Sequence, residues 1–247
     1  MFLSKLAVAL LCSATLLAAQ NLPAGTALPI MLNSSLDKHS KPGSKIEGRL
    51  MQEVLLPSNA KIKKGSHVSG HVVSVETTPG NSRITVAFDT LQDEKQTLPL
   101  NVNLRALAAT ESVFNAKTPV DAVSTYESAY GWTTKQVGGD VVFRGRGYIA
   151  SPQGKVGRYN GDGAWGQLAP AGDCLATDIN HDEQALWVFS TTACGTYGLE
   201  NVKIAHTGDS PPLGQITLAS PKDILIRSGS GWLLLVNATS TAPKSTN

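Results

Sequence analysis

The feature that most constrains this chain is the repeated alternation of short apolar runs with Gly, Pro, Asn and Asp. The chain has 23 Gly and 13 Pro among its 247 residues, and these residues favour tight turns. Short runs of apolar and β-branched residues between turns are typical of antiparallel sheets. The sequence therefore predicts an all-β fold, either barrel-like or a sandwich of short antiparallel strands, with a β-rich insertion.

The predicted strands follow from the positions of the turns. They cover residues 27–32, 45–50, 67–76, 83–88, 97–104, 139–144, 186–190, 202–206, 215–218, 224–227 and 232–236. Helix-favouring residues are concentrated in residues 106–130, where Pro119 interrupts an irregular apolar spacing. We expect that segment to be a loop with at most a short helix.

Residues 1–20 have the layout of a cleavable secretory signal peptide, with Lys5 before an apolar run and small residues at the end. A membrane anchor is the alternative, but the run is shorter than the roughly 20 residues that a spanning helix needs. Lipid attachment at Cys12 is a second alternative, although Leu10 and Leu11 precede it instead of small residues. We expect a periplasmic or secreted protein of the bacterial cell envelope, with no integral membrane segment in the mature chain.

Export determines how the cysteines are interpreted. Without Cys12, the chain keeps only Cys174 and Cys194, an even pair in an oxidising compartment. The sequence therefore predicts a disulfide that closes a loop of about 20 residues.

A reactive thiol at Cys194 is the alternative. The preceding Ser-Thr-Thr-Ala resembles the strand end that carries the nucleophile of sortase transpeptidases. Such an enzyme needs a His to share the proton and an Arg to stabilise the oxyanion, and His181 or His206 with Arg227 are the candidates. His181 is closer to Cys194 than the family spacing allows, and His206 follows the cysteine instead of preceding it.

Two separate parts of the chain resemble the periplasmic β-barrel of TrbI-type conjugal-transfer proteins, which belong to type IV secretion machines. In residues 22–105 the resemblance lies in an extended segment with Gly25-Thr26, a Pro42-Gly43 turn and a Gly65-Ser66 turn. In residues 213–236 it lies in a closing pair of strands. The family's membrane helix, Pro-rich linker and apolar antenna are not matched, so the resemblance implies a barrel scaffold for assembly or binding, and not a secretion channel.

This resemblance implies a domain organisation. Residues 21–105 would form the front part of a barrel domain and residues 213–236 its closing strands. Residues 106–212 would be a β-rich insertion or a second subdomain that contains the disulfide. Residues 237–247, rich in Ser and Thr, are expected to be a flexible tail.

Aromatic residues in Gly-rich segments are the candidates for ligand binding. Exposed rings stack on apolar faces of sugars or peptides, while neighbouring polar groups form hydrogen bonds. Trp187 and Trp232 are instead expected to alternate into the core of their strands. The two other tryptophans lie in segments predicted to be loops, and the candidate binding residues are Trp132, Gly138, Gly139, Asp140 and Trp165.

A metal site is not expected. Asp178, Asn180 and Asp182 alternate as calcium ligands do, but Glu183 and Phe189 stand where a calcium loop needs Gly and a carboxylate. An irregular calcium site at the first three residues is the alternative to a simple acidic turn. No motif for another cofactor is present in the sequence, and no cofactor is predicted.

Net charge and the lack of a complete catalytic set narrow the function. Lys and Arg number 21 and Asp and Glu 19, a formal charge of +2, which is too small for a nucleic-acid binder. The sequence predicts a non-catalytic binding or assembly module, with an envelope protein or a glycan as partner. The alternatives are a cysteine-dependent transpeptidase or other cell-wall hydrolase, and a purely structural envelope protein.

Overall fold

The computed structural model describes residues 22–57, 60–94, 96–120, 132–161, 163–174, 180–205 and 214–238. The predicted signal peptide and most of the predicted tail lie outside the described residues. The fold is all-β, as predicted. Its strands are β1 (Ala27–Leu32), β2 (Leu36–Asp37), β3 (Lys45–Leu50), β4 (Val54–Leu55), β5 (Lys61–Ile62), β6 (His67–Thr78), β7 (Asn81–Gln92), β8 (Thr97–Pro99), β9 (Val102–Ala108), β10 (Thr133–Lys135), β11 (Val141–Phe143), β12 (Tyr148–Ser151), β13 (Gly154–Asn160), β14 (Gly163–Gly166), β15 (Gln184–Ala185), β16 (Gly195–Tyr197), β17 (Lys203–Ala205), β18 (Gln215–Ser220), β19 (Leu225–Ile226) and β20 (Gly231–Val236).

The larger sheet is barrel-shaped and nearly closed. Its strands follow the order β16-β9-β20-β1-β3-β6-β7-β18-β17, and β8 pairs with β7 outside that path. All neighbours are antiparallel except β16 and β9. The two ends of the path approach each other, since the Thr196 hydroxyl donates a hydrogen bond to the carbonyl of Val202 at 2.7 Å.

The second sheet contains β10 to β15 in chain order, each strand antiparallel to the next. Such a meander follows from short strands joined by tight turns. Two small pairs, β2 with β19 and β4 with β5, complete the described sheets.

Strand β20 lies between the two layers of the molecule. Trp232 and Leu234 belong to the apolar cluster of the barrel interior. Leu233 and Leu235 belong to a second cluster, which also contains Val142 from the six-stranded sheet. Because both faces of β20 are covered, its sequence is an uninterrupted apolar run.

Within the barrel, the ring of Trp232 meets Phe88 edge to face, with 5.7 Å between the ring centroids. Both side chains are almost fully buried. The predicted core position of Trp232 is therefore confirmed. Aromatic pairs in this arrangement add about 0.5–1.5 kcal/mol beyond the burial of their surface.

Buried glutamines join the two layers through the backbone. The Gln52 side chain donates to the carbonyl of Ala164 at 2.8 Å and accepts from its amide at 2.9 Å. The amide of Ala27 in β1 donates to Gln184 Oε1 at 2.9 Å. These bonds fix the six-stranded sheet relative to the barrel, since buried amides need partners.

The structure differs from two of the predicted strands and has a short helix in the segment where one was expected. The described part of the predicted helical segment, residues 106–120, contains one short helix, α1 (Thr110–Asn115). The predicted strand 97–104 is divided into β8 and β9, because β8 pairs with β7 whereas β9 pairs with β20. The strand predicted at residues 186–190 is wrong: Trp187 has a φ of +52°, and the amide of Phe189 closes a turn onto Leu186 at 2.9 Å.

The apolar character of that turn has a physical cause. Leu186, Val188 and Phe189 are buried in the cluster between the two layers. The run is therefore apolar because it is enclosed, and not because it forms a strand.

Leucine-to-alanine changes test the position of β20 in the core. Leu234 is fully buried, whereas Leu225 is 46% exposed. We expect Leu234→Ala to lower the free energy of unfolding by about 2–5 kcal/mol and Leu225→Ala by no more than about 0.5 kcal/mol. Urea unfolding followed by tryptophan fluorescence measures both values. Equal losses in the two variants would contradict this assignment.

Candidate binding surface

The six-stranded sheet carries all five residues that the sequence singled out for binding. Trp132 directly precedes β10 and is 45% exposed. Gly138, Gly139 and Asp140 form the turn between β10 and β11, and Trp165 lies in β14. These residues share a sheet, but they do not present one common exposed surface.

Asp140 is buried, with 3% of its surface exposed. Its Oδ2 accepts hydrogen bonds from the Thr191 amide at 2.9 Å and the Thr191 hydroxyl at 2.7 Å. Gly138 has a φ of +102°, and a Cβ there would lie 2.1 Å from the Ser190 hydroxyl. Asp140 and Gly138 thus pack the turn against residues 190–191.

The loop position predicted for Trp165 is wrong. Trp165 stands in β14 and is 8% exposed, and the Arg158 guanidinium stacks on its ring at 4.5 Å from the centroid. A Cβ at Gly163 would meet this ring. Gly163 makes space for the indole within a strand, and the ring is not an exposed platform.

Trp132 belongs to a cluster built on an arginine. The Arg144 guanidinium lies 4.5 Å from the Trp132 ring centroid and 4.8 Å from that of Tyr159. It donates to the Tyr159 hydroxyl at 2.7 Å and to Thr134 Oγ1 at 3.2 Å. Cation–π contacts and hydrogen bonds together hold the exposed indole in place.

Trp187 does not occupy the core position predicted for it. It is partly buried in the turn after β15, and the Lys117 ammonium lies 4.7 Å from its ring centroid. Partial burial lowers the pKa of Lys117, and the positive charge of Lys64 acts in the same direction.

The register of the six-stranded sheet defines its two faces, because directly paired residues point to the same side. Val142 and Ile149 form a pair that is buried toward the barrel. The opposite side, called the outer face here, is exposed or partly exposed in β10 to β13. It carries two rows of paired residues: Thr133, Phe143, Tyr148 and Arg158 in one row, and Lys135, Val141, Ala150 and Lys155 in the other.

Positive charge is concentrated in this part of the chain. Asp140 is the single carboxylate of residues 132–161 and is buried. The net charge of the whole chain is only +2, so it does not reveal this basic surface. Counting charged residues over a short window of the sequence would have revealed it. The cations of the same segment are Lys135, Arg144, Arg146, Lys155 and Arg158.

The cations of the outer face differ in their pairing. Arg158 forms an ion pair with Glu183 at 2.7 Å. Lys135 and Lys155 are exposed, and neither forms an ion pair with any described carboxylate. Their charge is therefore available to an anion from outside.

An aromatic pair lies in the row next to that of Lys135 and Lys155. The rings of Phe143 and Tyr148 stack across β11 and β12, with 4.6 Å between their centroids and 20° between their planes. Both side chains are partly exposed. The outer face thus combines an aromatic strip, with Arg158 at one end, and a neighbouring row with Lys135 and Lys155 at its two ends. This arrangement suits an anionic partner with some apolar surface.

Cys174 and Cys194 form a disulfide, with 6.0 Å between their Cα atoms. Arg105, in β9, donates to the carbonyls of Ala193, which directly precedes Cys194, and of Ala169, which lies in the segment before Cys174. The bonded sulfur of Cys194 cannot act as the thiolate nucleophile of a transpeptidase. His206, one of the histidines proposed for that mechanism, lies outside the described residues.

The acidic segment considered for calcium is only partly described. Asp178 lies outside the described residues, Asn180 Oδ1 accepts a hydrogen bond from the Asp182 amide at 2.8 Å, and Asp182 is exposed. In the described ranges, no three His, Cys, Asp or Glu side chains are placed to hold a metal ion. Asn180 and Asp182 form a local turn.

A cavity of about 330 Å³ lies where the barrel sheet closes. Leu104 of β9 and Ile216 of β18 line it, together with Val236 and the more polar Asn103 and Asp173. At this end of the seam β9 and β18 do not pair with each other: β16 pairs only with residues 106–108 of β9, and Ile204 and Ala205 of β17 line the cavity. The cavity is the space that this incomplete closure leaves.

Comparison with protein-family models, curated proteins and solved structures found no match. The resemblance to TrbI-type barrels stays a prediction, which these comparisons neither support nor contradict. In the part of the chain that the structure describes, no helix has the length and apolar character needed to cross a membrane.

Removing the disulfide tests its contribution to the fold. It links residues 20 positions apart, and we expect the double variant Cys174→Ser, Cys194→Ser to lose about 3 kcal/mol of unfolding free energy. Denaturant unfolding with and without a reductant measures this loss, and the double variant serves as the control that a reductant does not affect. A Cys194 that reacts with iodoacetamide in unreduced native protein would contradict the bridge.

Asp140→Ala tests whether this carboxylate has a structural role. The change leaves the buried Thr191 amide without its charged acceptor, so we expect a loss of about 1.5–3 kcal/mol of unfolding free energy. Asp182→Ala, at an exposed position, is the matched control and should change stability by about 0.5 kcal/mol or less. Thermal unfolding compares the two variants. An unchanged stability of Asp140→Ala would show that the carboxylate does not hold the turn.

Proposed function

We propose that this protein is an exported, non-catalytic binding module of the cell envelope, in which the barrel is the scaffold and the outer face contacts the partner. The observation that carries the proposal is the pair of exposed cations, Lys135 and Lys155, without a described acidic partner on a sheet whose other side is buried. An anionic group from outside can pair with these cations without first breaking an internal ion pair.

The scaffold supports this role by holding the surface rigid. The back of the six-stranded sheet packs on β20 through Val142 and Ile149, and the hydrogen bonds of Gln52 tie it to the barrel. A surface that is already ordered loses less conformational entropy on binding. The ordered six-stranded sheet is therefore a suitable platform for a partner.

Localisation in the envelope is supported by two features of different kinds. Residues 1–20 have the pattern of a secretory signal, and a disulfide pair is typical of proteins that fold in an oxidising compartment. The TrbI-type resemblance adds a barrel used as an assembly scaffold. Within the envelope the partner is a glycan or a protein, and the near-neutral charge of the whole chain argues against nucleic acid.

Reversing the free cations tests the proposal. We expect the purified protein to sediment with envelope fragments from its native host, less so as salt rises, because screening weakens exposed charge pairs. The double variant Lys135→Glu, Lys155→Glu should bind about tenfold more weakly. Lys41→Glu, Lys203→Glu is the matched control: it changes net charge equally at exposed lysines without described ion pairs, and it should bind as the wild type does.

Two results would count against the proposed function. Wild-type protein that stays in the supernatant at low salt would show that the envelope offers no partner. Equal losses in the two double variants would show that the outer face is not the contact surface. Circular dichroism and thermal unfolding of every variant confirm that a loss of binding is not a loss of fold.

A further inference from the structure

Resting on the proposed function, we propose that the ligand of the outer face is an acidic polysaccharide, a glycan chain that bears carboxylates along its length. Its carboxylates would pair with Lys135, Lys155 and Arg158, and its sugar rings would lie over Phe143 and Tyr148. The spacing of the cations, the shape of the surface and the state of Arg158 lead to this class of ligand.

The spacing of the cations requires an extended ligand. Lys135 in β10 and Lys155 in β13 occupy the same row of the sheet, three strand spacings or about 14 Å apart. Arg158 stands in the neighbouring row, about 7 Å away along the strand direction. One small anion cannot bridge these distances, whereas a chain with repeated carboxylates meets each cation with a different unit.

The surface between the cations favours sugars. Val141 and Ala150, which lie between Lys135 and Lys155, have short side chains and make this surface shallow. In the neighbouring row, the stacked rings of Phe143 and Tyr148 form an apolar strip that also carries the Tyr148 hydroxyl. Sugar rings pack their C–H groups on such a strip and accept hydrogen bonds from tyrosine and lysine. DNA would require more phosphate contacts than these cations supply, and an acidic protein partner is an outcome that the comparison with poly-L-glutamate tests.

Glu183 limits how readily Arg158 can bind an anionic ligand. Its Nε and Nη2 both lie 2.7 Å from Glu183 Oε2, and its guanidinium stacks on Trp165. The side chains of both ion-pair partners are 39% exposed. A ligand carboxylate therefore competes with Glu183 for the same guanidinium donors, and Glu183 sets how strongly Arg158 contributes.

Neutralising Glu183 distinguishes a specific contact at Arg158 from a general attraction of anions to a basic surface. Glu183→Gln keeps the size of the side chain and removes the competing charge. We expect it to tighten the binding of polygalacturonate about threefold. Asp182→Asn removes one negative charge from the adjacent, exposed position and should leave the affinity within the error of the measurement.

The ligand class is tested with purified polymers on the full chain without its signal peptide. Isothermal titration or affinity electrophoresis compares polygalacturonate, the neutral glycan dextran, poly-L-glutamate and double-stranded DNA. We expect polygalacturonate to bind in a salt-dependent manner and to bind about tenfold more weakly to Lys135→Glu, Lys155→Glu. Dextran, poly-L-glutamate and DNA should each bind at least about tenfold more weakly than polygalacturonate does.

Each contrary result has a distinct meaning. Poly-L-glutamate or DNA binding as tightly as polygalacturonate would overturn the assignment to a glycan. Equal effects of Glu183→Gln and Asp182→Asn would overturn the contact at Arg158. Failure to bind polygalacturonate while envelope fragments still retain the protein would overturn this inference and leave the proposed function intact, whereas failure of both would overturn both.

Discussion

The burial of β20 on both of its faces is the constraint on which the rest of the structure depends. Trp232 and Leu234 fill the barrel, while Leu233 and Leu235 fill the layer between the barrel and the six-stranded sheet. At about 25 cal/mol for each Å² of buried apolar surface, one strand that serves two cores stabilises both at once. Small residues of β1 and β9 in the same layer, Ala27, Ala106 and Ala108, let the second sheet approach closely.

This arrangement also decides where binding can occur. One face of the six-stranded sheet covers β20, and the opposite face is left to solvent in β10 to β13, whereas Trp165 of β14 and Ala185 of β15 are buried there. The buried carboxylate of Asp140 accepts its hydrogen bonds from Thr191 within the protein and is not exposed to a ligand. The free charges of Lys135 and Lys155 stay on the outer face, where a partner reaches them without disturbing the packed layer.

Much of the fold was predictable because turn residues and apolar runs act locally. The predicted strands at residues 27–32 and 45–50 have the bounds of β1 and β3, and the short helix falls in the expected segment. The strand predicted at residues 186–190 was wrong, because a turn that is buried between two layers is as apolar as a buried strand. The loop predicted around Trp165 was wrong for the converse reason: Gly163, a residue type that normally indicates a loop, here makes room for the indole within β14. Of the candidate binding residues, Trp132 alone combines exposure with a fixed ring.

The sequence by itself determined the all-β class, the expectation of export and a cysteine pair fit for a disulfide, because each depends on residue type and near neighbours along the chain. Only the tertiary structure decided which residues share a face. Lys135 and Lys155 are 20 positions apart, and the register of four strands places them in one row of the outer face. Strand pairing depends on contacts between distant segments, so the surface it creates cannot be read from local sequence.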